Sequence, residues 1–517
     1  MKRIQDVLVA ELHSLISTLG SNGGLMSPSV YDTAQMLRIL PQADGVWPAV
    51  DWLLEQQQSD GGWGEPAMPL HRDVPTLAAI LALREYNRRH EVRVAIREGV
   101  AFIRRQGSMW STAAKAGRDD LPVGGEIVLP GLLDQLDAAG EMHIPRGPYG
   151  PLLELGERKR KAVAGLPPVP GMPWNHCWEL TGSEPHASLI DASGGLSHSP
   201  AATAAWVNAA SNRPELEETV QRARKYLANA ERACEVGIPG VTSTIYPFER
   251  YEQLFSLYAL QIAGILKDPR VESVVAPIVK ELAGALGSKG IAMSDYFLQD
   301  GDDTAAAVML LHEFGYPVDL SILYRFQNDN HFVAYAGELH PSPTVTARCI
   351  HALMVMGKDV APFQRFLLER RELDGRWTVD KWNRSWLYTT GHAAIALMGS
   401  PYERELREAV EAVLVSQHRD GGWSTHGPPN MTETAYAVLM LAYLERQGFT
   451  HAGIGPALDH AFTWMLDNYC PFSRPKNKVK CWIAKELYRV ERIDTIFELS
   501  AMLMLDQRRS KEKERGV

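Results

Sequence analysis

Three aspartates stand within four positions of the chain, at Asp300, Asp302 and Asp303, with Gly301 between the first two. An apolar run, residues 304–311, follows them directly and is typical of a buried helix. Burial and like charge both raise the pKa of a carboxyl group, so we expect at least one of the three to stay protonated at neutral pH. A neutral carboxylic acid at the head of an apolar helix, polarised by neighbouring carboxylates, can protonate a very weak base such as a carbon–carbon double bond.

Two simpler interpretations compete for this acidic cluster. Asp302 or Asp303 can cap a helix, as acidic residues in a first turn routinely do. A calcium loop that starts at Asp300 needs a glycine where Ala305 stands and a bidentate glutamate where Leu311 stands, and neither is present. The calcium interpretation is therefore set aside, while capping and acid chemistry both stay open.

The composition bounds the class of protein. The chain has 517 residues, enough for two or three domains, and its 53 basic and 62 acidic residues give a net charge of −9, which does not suggest a nucleic-acid partner. The five cysteines are scattered without a Cys-x-x-Cys pair, which argues against a disulfide framework and a zinc-binding pair and favours a reducing cytoplasm. No leader peptide opens the chain and no apolar stretch reaches about 18 residues, so we expect a soluble, cytoplasmic protein without a membrane span.

Apolar helical segments that begin with threonine recur at a regular spacing and must position the acidic cluster. A period near 43 residues accommodates two helices and two turns, and such hairpins bury their faces only by stacking on their neighbours. The starts lie 42, 44 and 44 residues apart in the second half and 43 apart in the first, at Thr304, Thr346, Thr390 and Thr434, and at Thr33 and Thr76.

A second signature, a glycine-rich turn that ends in tryptophan, separates these segments. Residues 56–64 read Gln-Gln-Gln-Ser-Asp-Gly-Gly-Trp-Gly, residues 417–423 read Gln-His-Arg-Asp-Gly-Gly-Trp, and residues 374–377 follow the pattern more loosely. Asp-Gly-Gly ends a helix, the tryptophan can pack back, and the preceding glutamine can bond freed backbone groups between successive hairpins. Strand signals are sparse, so the pattern predicts an all-α fold in which each half closes hairpins into an α/α-barrel, or toroid.

The Asp-x-Asp-Asp cluster, the tryptophan turns and the hairpin repeats together resemble class II terpene cyclases. Segments similar to those of bacterial diterpene cyclases extend over nearly the whole chain, at residues 29–34, 199–204, 380–385 and 482–488. Squalene–hopene cyclases share this fold but are longer, with more tryptophan turns and a membrane-binding apolar surface, so the sequence favours the diterpenoid branch.

The resemblance implies two barrels in the βγ arrangement, with the first inserted into the second and the substrate between them. Residues 1–20 then pack with the C-terminal barrel, residues 21–245 form the inserted barrel, and residues 246–517 form the barrel that carries the acidic cluster. The implied substrate is geranylgeranyl diphosphate, cyclised by protonation of its terminal alkene while the diphosphate stays attached. The class I motif Asp-Asp-x-x-Asp is not found in the sequence, in agreement with that chemistry.

The family's residue roles carry over to positions of this sequence. Asp302 matches the proton donor, and Asp300 and Asp303 match the residues that orient and acidify it. A carbocation must be shielded from water by aromatic rings, whose faces stabilise positive charge, although core packing is an equal alternative for each ring. The aromatic residues expected to line the cavity are Tyr296, Phe332, Tyr335, Trp377, Trp382, Trp386 and Tyr388.

The diphosphate requires cations, and two basic sets qualify. Arg158 and Lys159 begin a basic run that family members have in a similar place, although a solvated helix face is the alternative. Lys381, Arg384 and Lys485 lie near the later tryptophan motifs. The resemblance also implies Mg²⁺, and the acidic segment with Asp119, Asp120 and Glu126 resembles the family's metal-associated region.

Product choice depends on the group that removes the last proton. Related ent-copalyl diphosphate synthases hold a deprotonating water with the histidine of Leu-His-Ser and the asparagine of Pro-Asn-Val. Here the histidine is kept as His176, whereas Thr244 replaces the asparagine, with a different donor and acceptor set. We therefore expect hydride and methyl shifts to a halimadane or clerodane skeleton, such as kolavenyl diphosphate. Quenching to copalyl diphosphate without rearrangement, and squalene or sesquiterpene cyclisation, are the alternatives, and a class I terpene synthase or a phosphatase is the expected downstream partner.

Two other classes of protein build similar barrels. Protein prenyltransferase β-subunits need a zinc site of Asp, Cys and His, and no convincing Asp-x-Cys with a later His is found here. A non-enzymatic helical-repeat binding module is the second alternative. Such a scaffold has no reason to place three aspartates at the mouth of an apolar helix, so the sequence favours the cyclase.

Overall fold

The structure is a computed structural model of the full chain. It describes residues 4–41, 45–116, 123–140, 144–163, 169–182, 184–336, 338, 341–378, 380–473 and 479–515.

Ten α-helices form before residue 233 and ten after it in the described part of the chain. The first ten are α1 (Ile4–Ile16), α2 (Val30–Ile39), α3 (Trp47–Glu55), α4 (Asp73–Leu83), α5 (His90–Ala116), α6 (Gly125–Ala138), α7 (Gly150–Val163), α8 (Trp178–Thr181), α9 (Pro200–Ala210) and α10 (Glu217–Arg232). The second ten are α11 (Glu249–Ala263), α12 (Pro269–Ala285), α13 (Gly301–Glu313), α14 (Pro343–Val355), α15 (Ala361–Glu369), α16 (Trp386–Leu397), α17 (Glu403–Val415), α18 (Met431–Arg446), α19 (Ile454–Asn468) and α20 (Glu491–Arg515).

Shorter elements join these helices. The 3₁₀ helices are Ser21–Gly23, Pro69–Arg72, Arg84–Tyr86, Gly147–Tyr149, Pro173–Cys177, Ala187–Leu189, Pro214–Leu216 and Leu320–Phe326. The strands pair antiparallel as two small hairpins, β1 (Gln327–Asn328) with β2 (His331–Phe332) and β3 (Trp482–Ile483) with β4 (Leu487–Tyr488). Gln327 lies opposite Phe332 and Trp482 opposite Tyr488.

The helices close into two rings. In the second half, α11, α13, α14, α16, α18 and α20 each pack on the next, and α20 returns to α11. In the first half, α2, α4, α6, α8 and α9 pack in sequence and α9 returns to α2. The prediction of an all-α fold of helical hairpins closed into toroids is confirmed, and we refer to these rings as the first and second toroids.

Inner and outer helices differ in how much of their surface is apolar. Every residue of the inner helix α4 is buried, which its Ala- and Leu-rich sequence permits. The outer helix α17 buries a single stripe, Leu406, Ala409, Val410 and Val413, at the i, i+3, i+4, i+7 spacing of an amphipathic helix. Helix α1 packs against α12 and α20, and its Leu8 and Leu12 belong to the same apolar core as the second toroid.

The two repeat signatures of the sequence contact each other. The backbone N–H of Trp423 donates to Thr434 Oγ1 at 2.9 Å, and its indole N–H donates to Val413 O at 2.8 Å. Gln417 Nε2 donates to Gly421 O of its own turn at 2.8 Å and to Ala457 O of the next outer helix at 2.9 Å. The prediction that glutamine and tryptophan brace successive hairpins is confirmed at this turn.

The same threonine contact recurs around both toroids. In each case the hydroxyl at the head of an inner helix accepts a hydrogen bond from a loop backbone N–H, which fixes the position of that loop. The loop precedes the helix in sequence in every pair except that of Thr33, where Thr242 follows α10. The pairs are Thr33 with Thr242, Thr76 with Trp63, Thr203 with Leu196, Thr304 with Ile291, Thr346 with Phe332 and Thr390 with Trp377. Inner helices of both toroids therefore begin with their first turn held in place.

In the described part of the chain, no helix combines the length and the apolar character that crossing a membrane requires.

Candidate active site

The acidic cluster lies at the head of α13. Asp300 is the N-cap residue, and its Oδ1 accepts a hydrogen bond from Asp303 N at 2.7 Å. Gly301 follows because a Cβ at this position would lie 2.5 Å from Val333 O. The capping interpretation named Asp302 or Asp303 and is wrong about the residue, because Asp300 is the cap and the other two aspartates lie in the first turn.

The three carboxyl groups differ in how exposed they are. Asp300 and Asp303 are buried, whereas 14% of the Asp302 side chain is exposed. Burial raises the pKa of Asp300 to about 7, and the negative charge of Asp302 adds to this rise. Burial, followed by the neighbouring charge of Asp300, raises the pKa of Asp303 well above its usual range, and the two side chains are hydrogen-bonded. The pair formed by Asp300 and Asp303 therefore retains a proton to higher pH than ordinary carboxyl groups do.

Arg348 on α14 is the cation of this cluster. Its guanidinium is fully buried and donates to Asp302 Oδ1 and, at 2.6 Å, to the Tyr388 hydroxyl. It also packs over the ring of Phe255, 4.3 Å from the centroid. Burial raises the pKa of Asp302, and the charge of Arg348 opposes that rise. The carboxyl group that remains accessible is thus the one whose conjugate base is stabilised.

His392 completes the surroundings of Arg348. Its Nδ1–H donates to Tyr388 O at 2.9 Å, so Nε2 accepts from the Arg348 guanidinium at 3.2 Å. Burial, followed by the charge of Arg348, lowers the pKa of His392 well below its usual range. The ring is therefore neutral and does not add a second positive charge beside Asp302.

Sequence reasoning missed Arg348, although a signal was present. Arg348 stands two residues after the repeat threonine Thr346, in a helix whose neighbouring positions are apolar and buried. A charged residue on the buried face of such a helix requires a partner of opposite charge. Because Arg348 and Asp302 are 46 positions apart, the sequence alone does not identify Asp302 as that partner.

The predicted cavity aromatics separate into two groups. Tyr335 lies close to the acidic cluster, since the charges of Asp300 and Asp303 contribute, after burial, to the rise of its pKa. Trp382 stands next to Tyr335, with ring centroids 6.4 Å apart, and Tyr388 binds Arg348. Tyr335 and Tyr388 therefore lie near the acid, and Trp382 lies behind Tyr335.

The other four predicted aromatics have different neighbours. Trp377 is a turn brace, because its indole N–H donates to Leu367 O at 2.6 Å. Phe332 packs on Phe363, with centroids 4.6 Å apart, and Trp386 lies under the Arg376 guanidinium at 4.9 Å. The backbone N–H of the partly buried Tyr296 donates to Ser294 Oγ at 3.1 Å.

Two of the predicted diphosphate ligands come together across the two toroids. Lys159 Nζ lies 2.5 Å from Glu126 Oε1, and Lys381 Nζ pairs with the Glu338 carboxylate. Burial, followed by the positive charge of Lys159, lowers the pKa of Lys381 to about 7. We call Lys159 and Lys381 the lysine pair, because the positive charge of Lys159 acts on Lys381 across the two toroids.

The remaining predicted cations are placed elsewhere. Arg158 is exposed. Arg384 is buried and donates to Lys480 O at 2.8 Å and to Thr425 Oγ1 at 2.9 Å. Lys485 is fully buried, and its Nζ lies 2.8 Å from Glu179 Oε1 and donates to Ser199 Oγ at 2.8 Å. Both buried cations are occupied by internal partners.

The predicted metal ligands are only partly visible. Asp119 and Asp120 lie outside the described residues. Glu126 is the second residue of α6, and its carboxylate accepts a hydrogen bond from Lys159 Nζ. Among the residues that the structure describes, no three His, Cys, Asp or Glu side chains gather as a metal site. A single carboxylate beside the lysine pair nevertheless fits Mg²⁺, which takes one or two protein carboxylates and otherwise phosphate and water oxygens.

The two predicted product-control residues belong to segments that bond to one turn, residues 197–198. His176 Nδ1–H donates to Ser197 O at 2.8 Å, which leaves its Nε2 as an acceptor. Thr244 is buried, and two residues later Tyr246 N donates to His198 O at 3.1 Å. His198 of this turn is buried and is not among the site residues predicted from the sequence.

Comparison with known proteins gives consistent relatives. No protein-family model matches the chain. The chain is 46% identical over 517 residues to (+)-kolavenyl diphosphate synthase of Herpetosiphon aurantiacus, covering 97% of this chain and 98% of that protein. It is 30% identical to terpentedienyl-diphosphate synthase of Kitasatospora griseola, covering 90% and 95%. The solved structure of ent-copalyl diphosphate synthase from Streptomyces platensis matches with a TM-score of 0.78 at 25% identity, covering 96% and 99%.

Proposed function

The chain belongs to the class II diterpene cyclases, and from this premise we propose that it protonates geranylgeranyl diphosphate and cyclises it to a bicyclic diterpenyl diphosphate. The diphosphate stays attached throughout. The observation that carries this proposal is the contact between Asp302, the accessible carboxyl group at the head of α13, and the buried Arg348. No binding module needs that arrangement, whereas an acid that must protonate an alkene does.

Asp302 is the proposed proton donor. Arg348 binds Oδ1 and leaves Oδ2 to carry the proton. Since the guanidinium stabilises the carboxylate that remains after transfer, the protonated Asp302 is a stronger acid than burial alone would make it. The O–H bond breaks, the proton adds to the terminal alkene, and the remaining double bonds attack in turn to close two rings.

Asp300 and Asp303 are proposed to keep this acid protonated. Their hydrogen-bonded pair carries one negative charge and one proton, which places a negative charge close to Asp302. That charge disfavours a second ionised group in the cluster. Asp302 therefore regains its proton after each turnover while Arg348 keeps it acidic.

The lysine pair is the proposed diphosphate site. Lys159 comes from the first toroid and Lys381 from the second, so an anion bound to both holds the substrate between the toroids. A bound diphosphate also favours the charged form of Lys381, whose pKa is depressed in its absence. We extend this site to the neighbouring, exposed Arg158.

We also propose Mg²⁺ as a cofactor, held chiefly by the phosphate oxygens with Glu126 as the described protein carboxylate. When bound, the ion neutralises diphosphate charge. Titrating activity against Mg²⁺ after chelation, and measuring whether Glu126→Gln raises the Mg²⁺ concentration for half-maximal diphosphate binding, tests this assignment. An unchanged requirement in Glu126→Gln would remove the residue from the metal site.

A kolavenyl-type, rearranged skeleton is the proposed product. Support comes from the 46% identical relative, a (+)-kolavenyl diphosphate synthase, and from Thr244 at the position where the family resemblance places the asparagine of copalyl-forming enzymes. The alternative is a copalyl skeleton without rearrangement, favoured by the fold match to a copalyl-forming enzyme. Because either product keeps its diphosphate, the next enzyme must be one that ionises or hydrolyses an allylic diphosphate.

The proposed location is the cytoplasm. All five cysteines are unpaired, and four of them are buried. Free thiols in this number are typical of proteins in a reducing compartment.

The experiment that tests the function is incubation of the purified protein with geranylgeranyl diphosphate and Mg²⁺, followed by phosphatase and gas chromatography–mass spectrometry. A bicyclic diterpene alcohol is expected from the wild type and none from Asp302→Ala, and its skeleton separates kolavenyl from copalyl products. Geranylgeraniol from both proteins contradicts the proposal. Farnesyl diphosphate and squalene, run in parallel, test the alternative substrates.

A further inference from the structure

The turn at residues 197–198 has an unusual backbone. Ser197 and His198 both adopt positive φ angles, 47° and 60°, although neither is glycine. Such conformations cost on the order of 1–3 kcal/mol each and persist where surrounding contacts enforce them, often at ligand sites. Here Ser197 O accepts from His176 and His198 O accepts from Tyr246 N. The turn is therefore held from both sides in a shape that aims His198 away from its own loop.

His198 crosses to the second toroid. Its Nε2 lies 2.6 Å from Ser294 Oγ, and that oxygen also accepts the backbone N–H of Tyr296 at 3.1 Å. The second ring nitrogen, Nδ1, is buried without a hydrogen-bond partner among the described residues. A buried polar atom with no partner costs about 1–3 kcal/mol, so its retention calls for a ligand or a reacting group.

A line of aromatic rings connects His198 to the acid. The imidazole lies edge-on to Phe297, with ring centroids 4.7 Å apart, and Phe297 lies edge-on to Tyr335 at 6.0 Å. Tyr335 is close enough to Asp300 and Asp303 for their charges to act on its phenol. The line of rings therefore runs from the acidic cluster at one end to His198 at the other, where Nδ1 is buried without a hydrogen-bond partner among the described residues.

We propose, on the basis of the cyclase function above, that His198 is the base that ends the cation cascade by removing a proton through Nδ1. In this step a C–H bond next to the cationic carbon breaks, and its electron pair forms the product double bond. The proton binds Nδ1 and gives an imidazolium, which returns the proton to water on product release. Since Asp302 supplies one proton at the start and His198 takes one at the end, the reaction is a net isomerisation.

The hydrogen bond to Ser294 is compatible with the reactive tautomer. When Nε2–H donates to Ser294 Oγ, the lone pair of the neutral ring is on Nδ1. Burial lowers the pKa of His198 to about 3, so the ring is neutral at physiological pH. A neutral imidazole is ample base for a C–H bond adjacent to a carbocation, and the low pKa favours prompt loss of the proton afterwards.

This role differs from that of His176. His176 lies on the far side of the Ser197 carbonyl and keeps its own acceptor, Nε2, with a partly exposed ring. His198 instead contacts residues of the second toroid, Ser294 and Phe297. The two histidines thus offer two positions for deprotonation, and His198 is the one joined to the acid through aromatic rings.

The test compares products of the wild type, His198→Phe, His198→Asn and Ser294→Ala from geranylgeranyl diphosphate, with substrate consumption measured in the same reactions. Asparagine tolerates the positive φ, so His198→Asn tests the loss of the imidazole without added backbone strain. Ser197→Gly relaxes the neighbouring residue and keeps its carbonyl, and serves as the matched control.

In both His198 variants we expect the product with the wild-type double-bond position to fall at least about fivefold as a share of all products. Substrate consumption should change less than about threefold. Olefin isomers or water-quenched, hydroxylated diphosphates replace the lost product, Ser294→Ala shows the same change to a smaller extent, and Ser197→Gly keeps the wild-type product. An unchanged product ratio in His198→Asn overturns the proposal, as does a fall in consumption with the ratio preserved. A wild type that forms no cyclic diphosphate at all indicates failure of the cyclase function itself.

Discussion

Two inner helices of the molecule begin with the same dipeptide, Asp-Thr, and only one of them forms an acid. Asp32 precedes Thr33 at the head of α2, and Asp303 precedes Thr304 at the head of α13. Both aspartates are fully buried, and a buried cation lies near each, Lys485 or Arg348. The difference lies in how the carboxylates share that cation.

At the head of α2 two carboxyl groups share one cation, and all three groups are enclosed. Lys485 contacts Glu179 at 2.8 Å and Asp32 at 3.9 Å, and all three side chains are fully buried. At the head of α13 three carboxyl groups surround one guanidinium, which contacts Asp302 alone and leaves Asp300 and Asp303 bonded to each other. Both clusters contain more carboxyl groups than cations, so the accessible side chain of Asp302 is what distinguishes a proton donor from a structural ion pair.

The largest effect is expected from removing the accessible carboxyl group. Asp302→Asn should lower kcat/KM by about a thousandfold or more, because an amide cannot donate the initiating proton. Product formation measured by gas chromatography–mass spectrometry checks this, with Asp32→Asn as the matched variant at the other helix head. If Asp32→Asn abolishes turnover in a folded protein and Asp302→Asn does not, the two clusters have been assigned the wrong way round.

The next effect concerns stability rather than catalysis. Lys485→Met should destabilise the fold by about 3–5 kcal/mol, because it leaves Glu179 and Asp32 buried without their cation. Denaturant unfolding measures this, and the protein that remains folded should form the wild-type product. Lys161→Met, which breaks the exposed pair with Glu157, is the control and should unfold at the wild-type denaturant concentration. Equal midpoints for the two variants would show that Lys485 is not a structural cation.

Replacing Arg348 with glutamine should change how activity depends on pH. The guanidinium holds down the pKa of Asp302 against burial, so its loss raises that pKa and weakens the acid. Activity requires protonated Asp302 and falls as the pH rises through its pKa. In Arg348→Gln this alkaline limb should therefore move to higher pH, while the maximal rate falls by about 10- to 100-fold. A pH profile of kcat/KM checks both signs, and a limb displaced to lower pH contradicts the role given to Arg348.

The smallest effect is expected at the lysine pair. Lys381→Gln and Lys159→Gln should each raise KM by about tenfold with a smaller change in kcat, because the diphosphate is bound equally in the ground and transition states. Lys161→Gln, in the same basic run but paired at the surface, should leave KM unchanged. If kcat falls instead while KM is preserved, the lysine pair does not bind the diphosphate.

The sequence predicts the architecture well because the residues that hold each repeat together lie within that repeat. The threonine hydroxyl and the tryptophan turn that it anchors lie 11 to 13 residues apart, so both ends of the contact are visible in one stretch of chain. The boundaries at residues 20 and 245 stay predictions, although the apolar core of the second toroid takes in Leu8 and Leu12.

The site is harder to predict from sequence because the residues that contact each other there are far apart in the chain. Asp302 and Arg348 are 46 positions apart, and His198 and Ser294 are 96 apart. The sequence does not distinguish a lysine that binds substrate from a lysine that is buried in an ion pair. It therefore groups Lys381 with Lys485, although only Lys381 lies close to Lys159. Partners and burial, rather than residue type, distinguish the two.

The measurement that tests the account most directly is cyclisation in deuterium oxide. Wild-type protein should convert geranylgeranyl diphosphate to a bicyclic diphosphate that carries one carbon-bound deuterium delivered by Asp302, and Asp302→Asn should form none. A cyclic product without deuterium, or a hydrocarbon that has lost its diphosphate in the wild-type reaction, would contradict protonation by this carboxyl group.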